Sequence, residues 1–216
     1  MREWAGVVPE TGKPLWVRWE DENGKLLHGS NRIEPTKVTT TSTYSEASRI
    51  PIESSYPDFT GGFSNDLMFK NFMLTILTNF AVGNKVYSSA NYSVHDFMSN
   101  RLKITKWHHL TVWEKPGDIA DVSQLIFGDP YSSREESTIH LWDASYLKFQ
   151  SVRLGYTFPK SIFVIKNLNV SAIFENLGII TRYPYGDSDT SFESPSASIH
   201  RYRPTRKILF SISFDI

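Results

Sequence analysis

Residues 207–216 read Lys207-Ile208-Leu209-Phe210-Ser211-Ile212-Ser213-Phe214-Asp215-Ile216. Every even position in this stretch holds isoleucine or phenylalanine, and every odd position except that of Leu209 holds a polar or charged residue. Successive side chains of a β-strand point to opposite faces, so a polarity period of two predicts a strand with one apolar and one polar face. We therefore predict a β-strand over about residues 206–216.

The same alternation recurs upstream. Val152, Leu154, Tyr156 and Phe158 alternate with polar residues or glycine as far as Pro159, which cannot donate to a strand ladder. Similar runs predict further strands, and the fold class is therefore all-β, with antiparallel up-and-down strands. The predicted strands cover about residues 61–69, 72–83, 145–158, 168–176 and 206–216.

The connections between these strands alternate in length. Lys70-Asn71 and residues 159–167 are short, whereas the stretches of about 17–60, 84–144 and 177–205 are long. Alternate connections of an up-and-down sheet lie at the same end, so one end carries tight turns and the other carries long loops. This asymmetry is typical of outer-membrane barrels, which have short periplasmic turns and long extracellular loops. We expect the chain to form part of a large transmembrane β-barrel.

In a barrel wall the apolar face meets lipid and the polar face meets the lumen. A β-sandwich would show the same alternation, but the loop asymmetry and a closing strand that reaches Ile216 favour the barrel. The predicted lipid-facing residues are Phe72, Leu74, Ile76, Phe80, Val152, Leu154, Tyr156, Phe158, Leu168, Val170, Phe174, Ile208, Phe210, Ile212, Phe214 and Ile216. The predicted lumen-facing residues are Asn79, Arg153, Glu175, Lys207, Ser211 and Ser213.

Composition excludes several partners. Lys plus Arg equals Asp plus Glu at 23 each, and no basic cluster interleaved with aromatic residues occurs, so we expect no nucleic-acid partner. The absence of cysteine excludes disulfides and thiolate chemistry. The first residues contain no apolar leader, so we expect no secretory signal within this sequence.

No residues have the spacing of a catalytic or cofactor site. His108 and His109 would point to opposite faces of a strand, and no carboxylate pair beside them completes a metal site. Glu135 and Glu136 lie in a polar run typical of solvated surface, rather than of a glycosidase acid/base pair. We therefore predict no enzymatic activity, no cofactor and no metal.

Four aromatic residues fall in the longest predicted loop or at its end. Aromatic faces projected from loops can stack on sugar rings, which makes these residues possible contacts for a substrate. The alternative is that they pack the loop itself or lie at a lipid interface in an aromatic girdle. The four residues are Trp107, Trp113, Tyr131 and Trp142.

Longer motifs carry a family likeness. They are Trp4-Ala5-Gly6-Val7 with Pro9-Glu10-Thr11-Gly12-Lys13-Pro14-Leu15-Trp16, then Pro57-Asp58-Phe59-Thr60-Gly61-Gly62-Phe63-Ser64-Asn65, and Ala144-Ser145-Tyr146-Leu147-Lys148-Phe149-Gln150-Ser151-Val152-Arg153-Leu154-Gly155-Tyr156-Thr157-Phe158-Pro159. These segments resemble the C-terminal β-barrel portion of SusC/RagA-family TonB-linked (TonB-dependent) outer-membrane transporters. Val8 departs from the family pattern, in which aspartate is usual.

The resemblance implies a location in the bacterial outer membrane and a parent barrel of about 22 strands with an N-terminal plug in its lumen. It implies import of glycan or peptide nutrients, driven through TonB, with a SusD-like surface lipoprotein over the extracellular loops. The implied partners are the remainder of the barrel and the plug, this lipoprotein, TonB through an N-terminal part missing here, and outer-membrane lipid.

Nothing in the sequence resembles the plug, and five strands cannot close a pore, so we expect no transport by these residues alone. The alternative hypothesis is a soluble secreted all-β carbohydrate-binding module. In that case the loop aromatics would form the sugar site.

Overall fold

The computed structural model describes residues 1–29, 34–52, 54–87, 110–159, 164–184, 187–189 and 204–216. Within these ranges the chain forms eleven β-strands and two short 3-10 helices. The strands are β1 (Trp4–Val7), β2 (Pro14–Glu20), β3 (Leu26–Leu27), β4 (Lys37–Thr41), β5 (Phe59–Phe69), β6 (Phe72–Val82), β7 (Lys85–Tyr87), β8 (Leu141–Asp143), β9 (Tyr146–Thr157), β10 (Lys166–Thr181) and β11 (Lys207–Asp215). The 3-10 helices are Tyr44–Glu46 and Thr138–His140. None of the helices in the described part of the chain has the length or the apolar content to cross a membrane.

The chain divides into two compact units. The first lies within Met1–Ser54 and Val86–Trp142, and the second lies within Ser55–Lys85, Asp143–Ser194 and Arg201–Ile216. The first unit contains the sheet of β1 to β4, and the second contains a five-stranded sheet. β7 and β8 form a separate two-stranded pair.

The five-stranded sheet has the order β11-β10-β9-β6-β5, and all neighbours are antiparallel. β5 and β6 form a hairpin in which Phe69 lies opposite Phe72, so only Lys70 and Asn71 make the turn. Lys70 has a φ of 54°, the left-handed conformation that two-residue hairpins require. The predicted all-β, antiparallel up-and-down fold class is confirmed. The sheet does not close on itself, because β5 and β11 each pair with one described strand.

The strands of this sheet lie where the sequence predicts strands, but their ends differ. β10 continues to Thr181, although the alternation predicts an end near residue 176. The cause is a β-bulge, in which Asn176 and Leu177 of β10 lie opposite Gln150 of β9. Asn176 has a φ of 54° there. A bulge inserts an unpaired residue and interrupts the alternation of polarity. The residues of β10 after the bulge therefore lack the pattern by which the sequence predicts a strand.

The predicted loop over about residues 17–60 requires correction, because most of β2 and all of β3 and β4 lie in it. β2 is the central strand and pairs with β1, β3 and β4. β4 is rich in threonine, whose polarity suggested a loop but whose β-branched side chain favours strands. The predicted loop over 84–144 likewise contains β7 and β8.

Trp16 forms the centre of the first unit. Its side chain is fully buried, and its ring meets the rings of Trp4 and Tyr44 edge to face, with centroids 5.7 Å and 5.4 Å away. Arg2 lies over the Tyr44 ring at 4.0 Å. Each such aromatic pair or cation–π contact stabilises the fold by about 0.5–1.5 kcal/mol beyond the gain from burying the rings.

Candidate functional site

The first candidate surface is the apolar face of the five-stranded sheet. Cross-strand register aligns its side chains in three rows that each run through all five strands, in the order β5, β6, β9, β10 and β11. The rows are Phe69-Phe72-Tyr156-Val170-Ile212, Leu67-Leu74-Leu154-Ala172-Phe210 and Asn65-Ile76-Val152-Phe174-Ile208. Fourteen of the fifteen positions are apolar or aromatic, Asn65 being the exception.

This face is exposed in the chain itself. Phe210 is 78% exposed, Phe69 is 70% exposed and Ile208 is 61% exposed. A contiguous apolar surface of this extent is the mark of a membrane or protein contact, because burying it gains about 25 cal/mol per Å². We call this surface the apolar face from here on.

The predicted lipid-facing residues lie on the apolar face. Phe72, Leu74, Ile76, Phe80, Val152, Leu154, Tyr156, Val170, Phe174, Ile208, Phe210 and Ile212 are placed there by the cross-strand register. Leu168 and Phe214 continue the alternation toward the tight-turn end, and Phe158 and Ile216 follow the ends of β9 and β11. Their contact with lipid stays a prediction.

The opposite face of the sheet is mainly polar. The predicted lumen-facing residues, Asn79, Arg153, Glu175, Lys207, Ser211 and Ser213, all lie on it. Lys207 Nζ is 3.8 Å from Glu175 Oε2, and the Thr75 hydroxyl donates to Asp66 Oδ1 at 2.6 Å. Contact of this face with a lumen also stays a prediction.

The bulge at Gln150 reverses the alternation along β9. After Gln150, toward Thr157, the even-numbered residues of β9 lie on the apolar face. Before Gln150, toward Tyr146, odd-numbered Leu147 lies on that face, where it pairs with Phe80 and Ile180. Lys148 is thereby turned to the polar face, opposite Asn79. Sequence periodicity missed these residues, because one strand phase does not cover both sides of a bulge.

Lys148 forms an ion cluster on the polar face. Its side chain is 9% exposed, and its ammonium group lies 2.7 Å from Asp189 Oδ2 and 3.2 Å from Asp187 Oδ2. The Tyr146 hydroxyl donates to Asp189 Oδ1 at 3.0 Å, and the buried Ser188 hydroxyl donates to Thr181 Oγ1 at 3.0 Å. These contacts hold residues 187–189 against β9 and β10.

The aromatic residues predicted as possible substrate contacts have different surroundings in the structure. Trp113 is 6% exposed, its indole N–H donates to Pro9 O at 2.7 Å, and a Cβ on Gly12 would come 2.5 Å from its ring, so Trp113 packs the loop. Lys13 Nζ lies 6.0 Å from the centre of the Tyr131 ring. Trp107 lies outside the described residues.

Trp142 lines a cleft of about 310 Å³ in the first unit, together with Trp4. Leu110, Ile139 and Leu141 form aliphatic parts of its wall. We call this cavity the Trp4–Trp142 cleft. Its volume lies at the lower end of the range typical of small-molecule pockets, about 300–1,000 Å³.

Two carboxyl groups outside the five-stranded sheet have shifted pKa values. Burial raises the pKa of Asp129 above its usual range, and this effect exceeds that of the backbone N–H groups of Arg134 and Ser133, which favour the charged form. Burial also opposes ionisation of Asp143. There, hydrogen bonds from the hydroxyl and backbone N–H of Ser145, with nearby cationic side chains, prevail and lower the pKa.

No catalytic or metal-binding constellation emerges from the described ranges. They contain no group of three or more His, Cys, Asp or Glu side chains that could hold a metal ion. His108 and His109 lie outside the described residues. Glu135 and Glu136 are both exposed, although Ser133 and Ser137 of the same polar run are buried.

An open antiparallel sheet with one apolar and one polar face, a two-residue turn at one end and long connections at the other, is the architecture of a transmembrane β-barrel wall. Comparison with known proteins leads to the same class. No family model matches the chain. TonB-dependent receptor P3 of Formosa agariphila is 26% identical over 153 residues, which cover 69% of this chain and 14% of the receptor. TonB-dependent receptor P39 of the same organism is 25% identical over 140 residues, 62% of this chain and 13% of the receptor.

Solved structures extend the likeness to the whole chain. The RagAB peptide transporter is 25% identical, with a TM-score of 0.71 over 99% of this chain and 22% of that chain. The RagAB peptide importer in the closed-closed state is also 25% identical, with a TM-score of 0.67 over 98% of this chain. The resemblance to SusC/RagA-type TonB-dependent transporters is thereby confirmed. The chain spans about a seventh of the curated relatives' length, 14% and 13%.

Proposed function

We propose that this chain is a wall segment of an outer-membrane TonB-dependent nutrient importer of the SusC/RagA type. The three five-strand rows of the apolar face carry the proposal. The apolar face contacts lipid, the polar face lines the lumen, and the tight-turn end faces the periplasm, so the long connections are extracellular. A soluble carbohydrate-binding module is disfavoured, because it would leave these rows in water.

The dimensions of the strands support this assignment. A strand of eleven residues such as β6 rises about 33 Å, at about 3.3 Å per residue. At the tilt of about 45° found in outer-membrane barrels it spans about 23 Å along the membrane normal. This height matches the apolar band of about 25 Å on such barrels.

Transport belongs to the complete barrel. β5 and β11 each pair on one side within the described part of the chain, and an unpaired strand edge in hydrocarbon leaves backbone groups without hydrogen bonds. Further strands of the same importer therefore flank both edges. The remaining partners in this proposal are the plug in the lumen, TonB through the N-terminal part, and a SusD-like lipoprotein over the long loops, with glycan or peptide fragments as cargo.

Lipid contact can be tested by site-specific labelling of the complete importer after any cysteine outside this chain has been replaced, because the chain itself contains no cysteine. Phe210→Cys and Ser211→Cys place a fluorophore on neighbouring residues of β11 that face opposite sides of the sheet. In the complete importer, reconstituted in vesicles with brominated acyl chains, we expect strong quenching at position 210 and weak quenching at position 211. Equal quenching at the two positions would refute the assignment of the faces.

A further inference from the structure

The Trp4–Trp142 cleft has the composition of a side-chain pocket. Its aliphatic wall includes Leu110, Ile139 and Leu141, and the two tryptophans add aromatic surface. The indole N–H of Trp4 donates to the backbone O of Asp121 at 3.0 Å, so that donor is already engaged. The cleft therefore offers mainly carbon surface, which gains free energy by covering an apolar group.

Its polar side chains are few. Among the described lining residues, Thr138 and Asp121 contribute a hydroxyl and a carboxylate. Thr138 Oγ1 accepts a hydrogen bond from Trp4 N at 2.9 Å. Asp121 Oδ2 accepts from the backbone N and the hydroxyl of Thr111 at 2.9 Å and 2.8 Å, whereas Asp121 Oδ1 accepts from no described residue. One carboxylate oxygen is therefore open to a donor or a cation.

This chemistry discriminates between the two cargo classes. A sugar ring carries several hydroxyl groups, and those placed against Leu110, Ile139 and Leu141 would lose their hydrogen bonds to water without replacement. A peptide side chain of apolar or aromatic type has no such groups. The adjoining peptide N–H, or the α-ammonium group of a terminal residue, complements the charge of Asp121.

We propose that the Trp4–Trp142 cleft binds one apolar or aromatic side chain of a peptide, with the neighbouring N–H or ammonium group donating to Asp121 Oδ1. This inference rests on the proposed importer function and narrows its cargo to peptides. Leu110, Ile139 and Leu141 contact the side chain, and the indole faces of Trp4 and Trp142 complete the enclosure.

The test measures binding by calorimetry to the complete importer in detergent. The probes are an alanine pentapeptide with a central phenylalanine, the same peptide with a central serine, and maltopentaose. We expect the serine peptide to bind roughly 10- to 100-fold more weakly, the range that follows from burying one phenylalanine side chain. Maltopentaose should bind more weakly still.

Two neighbouring residues provide a matched pair of variants. Ala120 lines the cleft, whereas Ile119 is 92% exposed and is not part of the lining. We expect Ala120→Leu to fill the cleft and weaken binding of the phenylalanine peptide at least about 10-fold, while Ile119→Leu leaves it unchanged. Asp121→Asn, which keeps the shape of the side chain, should weaken binding several-fold, and this variant covers the case of an Ala120→Leu protein that misfolds.

Equal affinities in Ala120→Leu and Ile119→Leu, each with an unchanged melting temperature, would overturn the cleft proposal. Preferential binding of maltopentaose would also overturn it. Neither result touches the importer proposal, which depends on the quenching contrast between positions 210 and 211. Loss of that contrast would instead refute the importer assignment, whatever the cleft binds.

Discussion

Replacing Ile76 and Leu77 by arginine, one at a time, compares the two faces of the sheet at one depth. Both residues are half-buried apolar side chains in β6, and they point to opposite faces. Ile76 lies four residues from Phe72, at the tight-turn end of the strand. At about 3.3 Å per residue and a tilt of about 45°, this places it about 9 Å into an apolar band of about 25 Å, close to the midplane.

An arginine on the lipid side near the midplane costs about 2 to 4 kcal/mol. Ile76→Arg should therefore lower the free energy of unfolding by that amount. Leu77→Arg projects beside Ser64 and Ser151 on the polar face, where water can hydrate the guanidinium, and should cost less than about 1 kcal/mol.

The measurement is denaturant unfolding of the complete importer from lipid vesicles, with both variants under one set of conditions. Because both substitutions remove an apolar side chain of similar size from adjacent positions, their difference isolates the environment of the new charge. Equal losses for the two variants, or a larger loss for Leu77→Arg, would refute the assignment of the apolar face to lipid.

Two further predictions concern charged groups. Lys148→Met leaves the carboxylates of Asp187 and Asp189 without their buried cation and should destabilise the segment 187–189 by about 1 to 3 kcal/mol, seen as faster amide exchange, whereas Lys207→Met, at an exposed pair, should cost under about 1 kcal/mol. Asp143→Asn should lower the melting temperature at pH 7, and the difference from the parent should shrink as the pH falls below about 3.9. The lowered pKa of Asp143 means that its stabilising effect is present above the unfolded pKa of about 3.9 and is lost as the pH falls through the folded value. A pH-independent difference between Asp143→Asn and the parent would contradict this account.

The apolar rows were predictable because they depend on local alternation alone. Within Phe72 to Ile76, Val152 to Tyr156 and Ile208 to Ile212, a period of two defines each face without knowledge of the neighbouring strand. The antiparallel order followed from the alternation of short and long connections, which is typical of an up-and-down sheet.

The Lys148 cluster was not predictable by the same reasoning. Lys148 reaches the polar face only because of the bulge at Gln150, and its partners Asp187 and Asp189 are about 40 residues away along the chain. A bulge has no sequence pattern as clear as alternation, although the polar dipeptide Glu175-Asn176 within an apolar strand was a usable sign of one.

The different surroundings of Trp113 and Trp142 could not be predicted from the sequence either. Both are aromatic residues in one predicted loop, but Trp113 is buried against Pro9 and Gly12, whereas Trp142 borders an open cleft. Long-range contacts decide which aromatic ring packs and which remains accessible, and composition does not report those contacts.

The bulge opposite Gln150 also separates the strands into two stretches with independent constraints on length. On the side of the tight turns, the three rows depend on an unbroken strand register. The insertion or deletion of one residue there would move a whole set of side chains to the other face. On the side of the long connections, the bulge already interrupts the register, so the insertion or deletion of a residue there disturbs fewer pairs. In the proposed importer, the extracellular segments should therefore tolerate changes in length that the membrane-embedded stretch, with its strict register, does not.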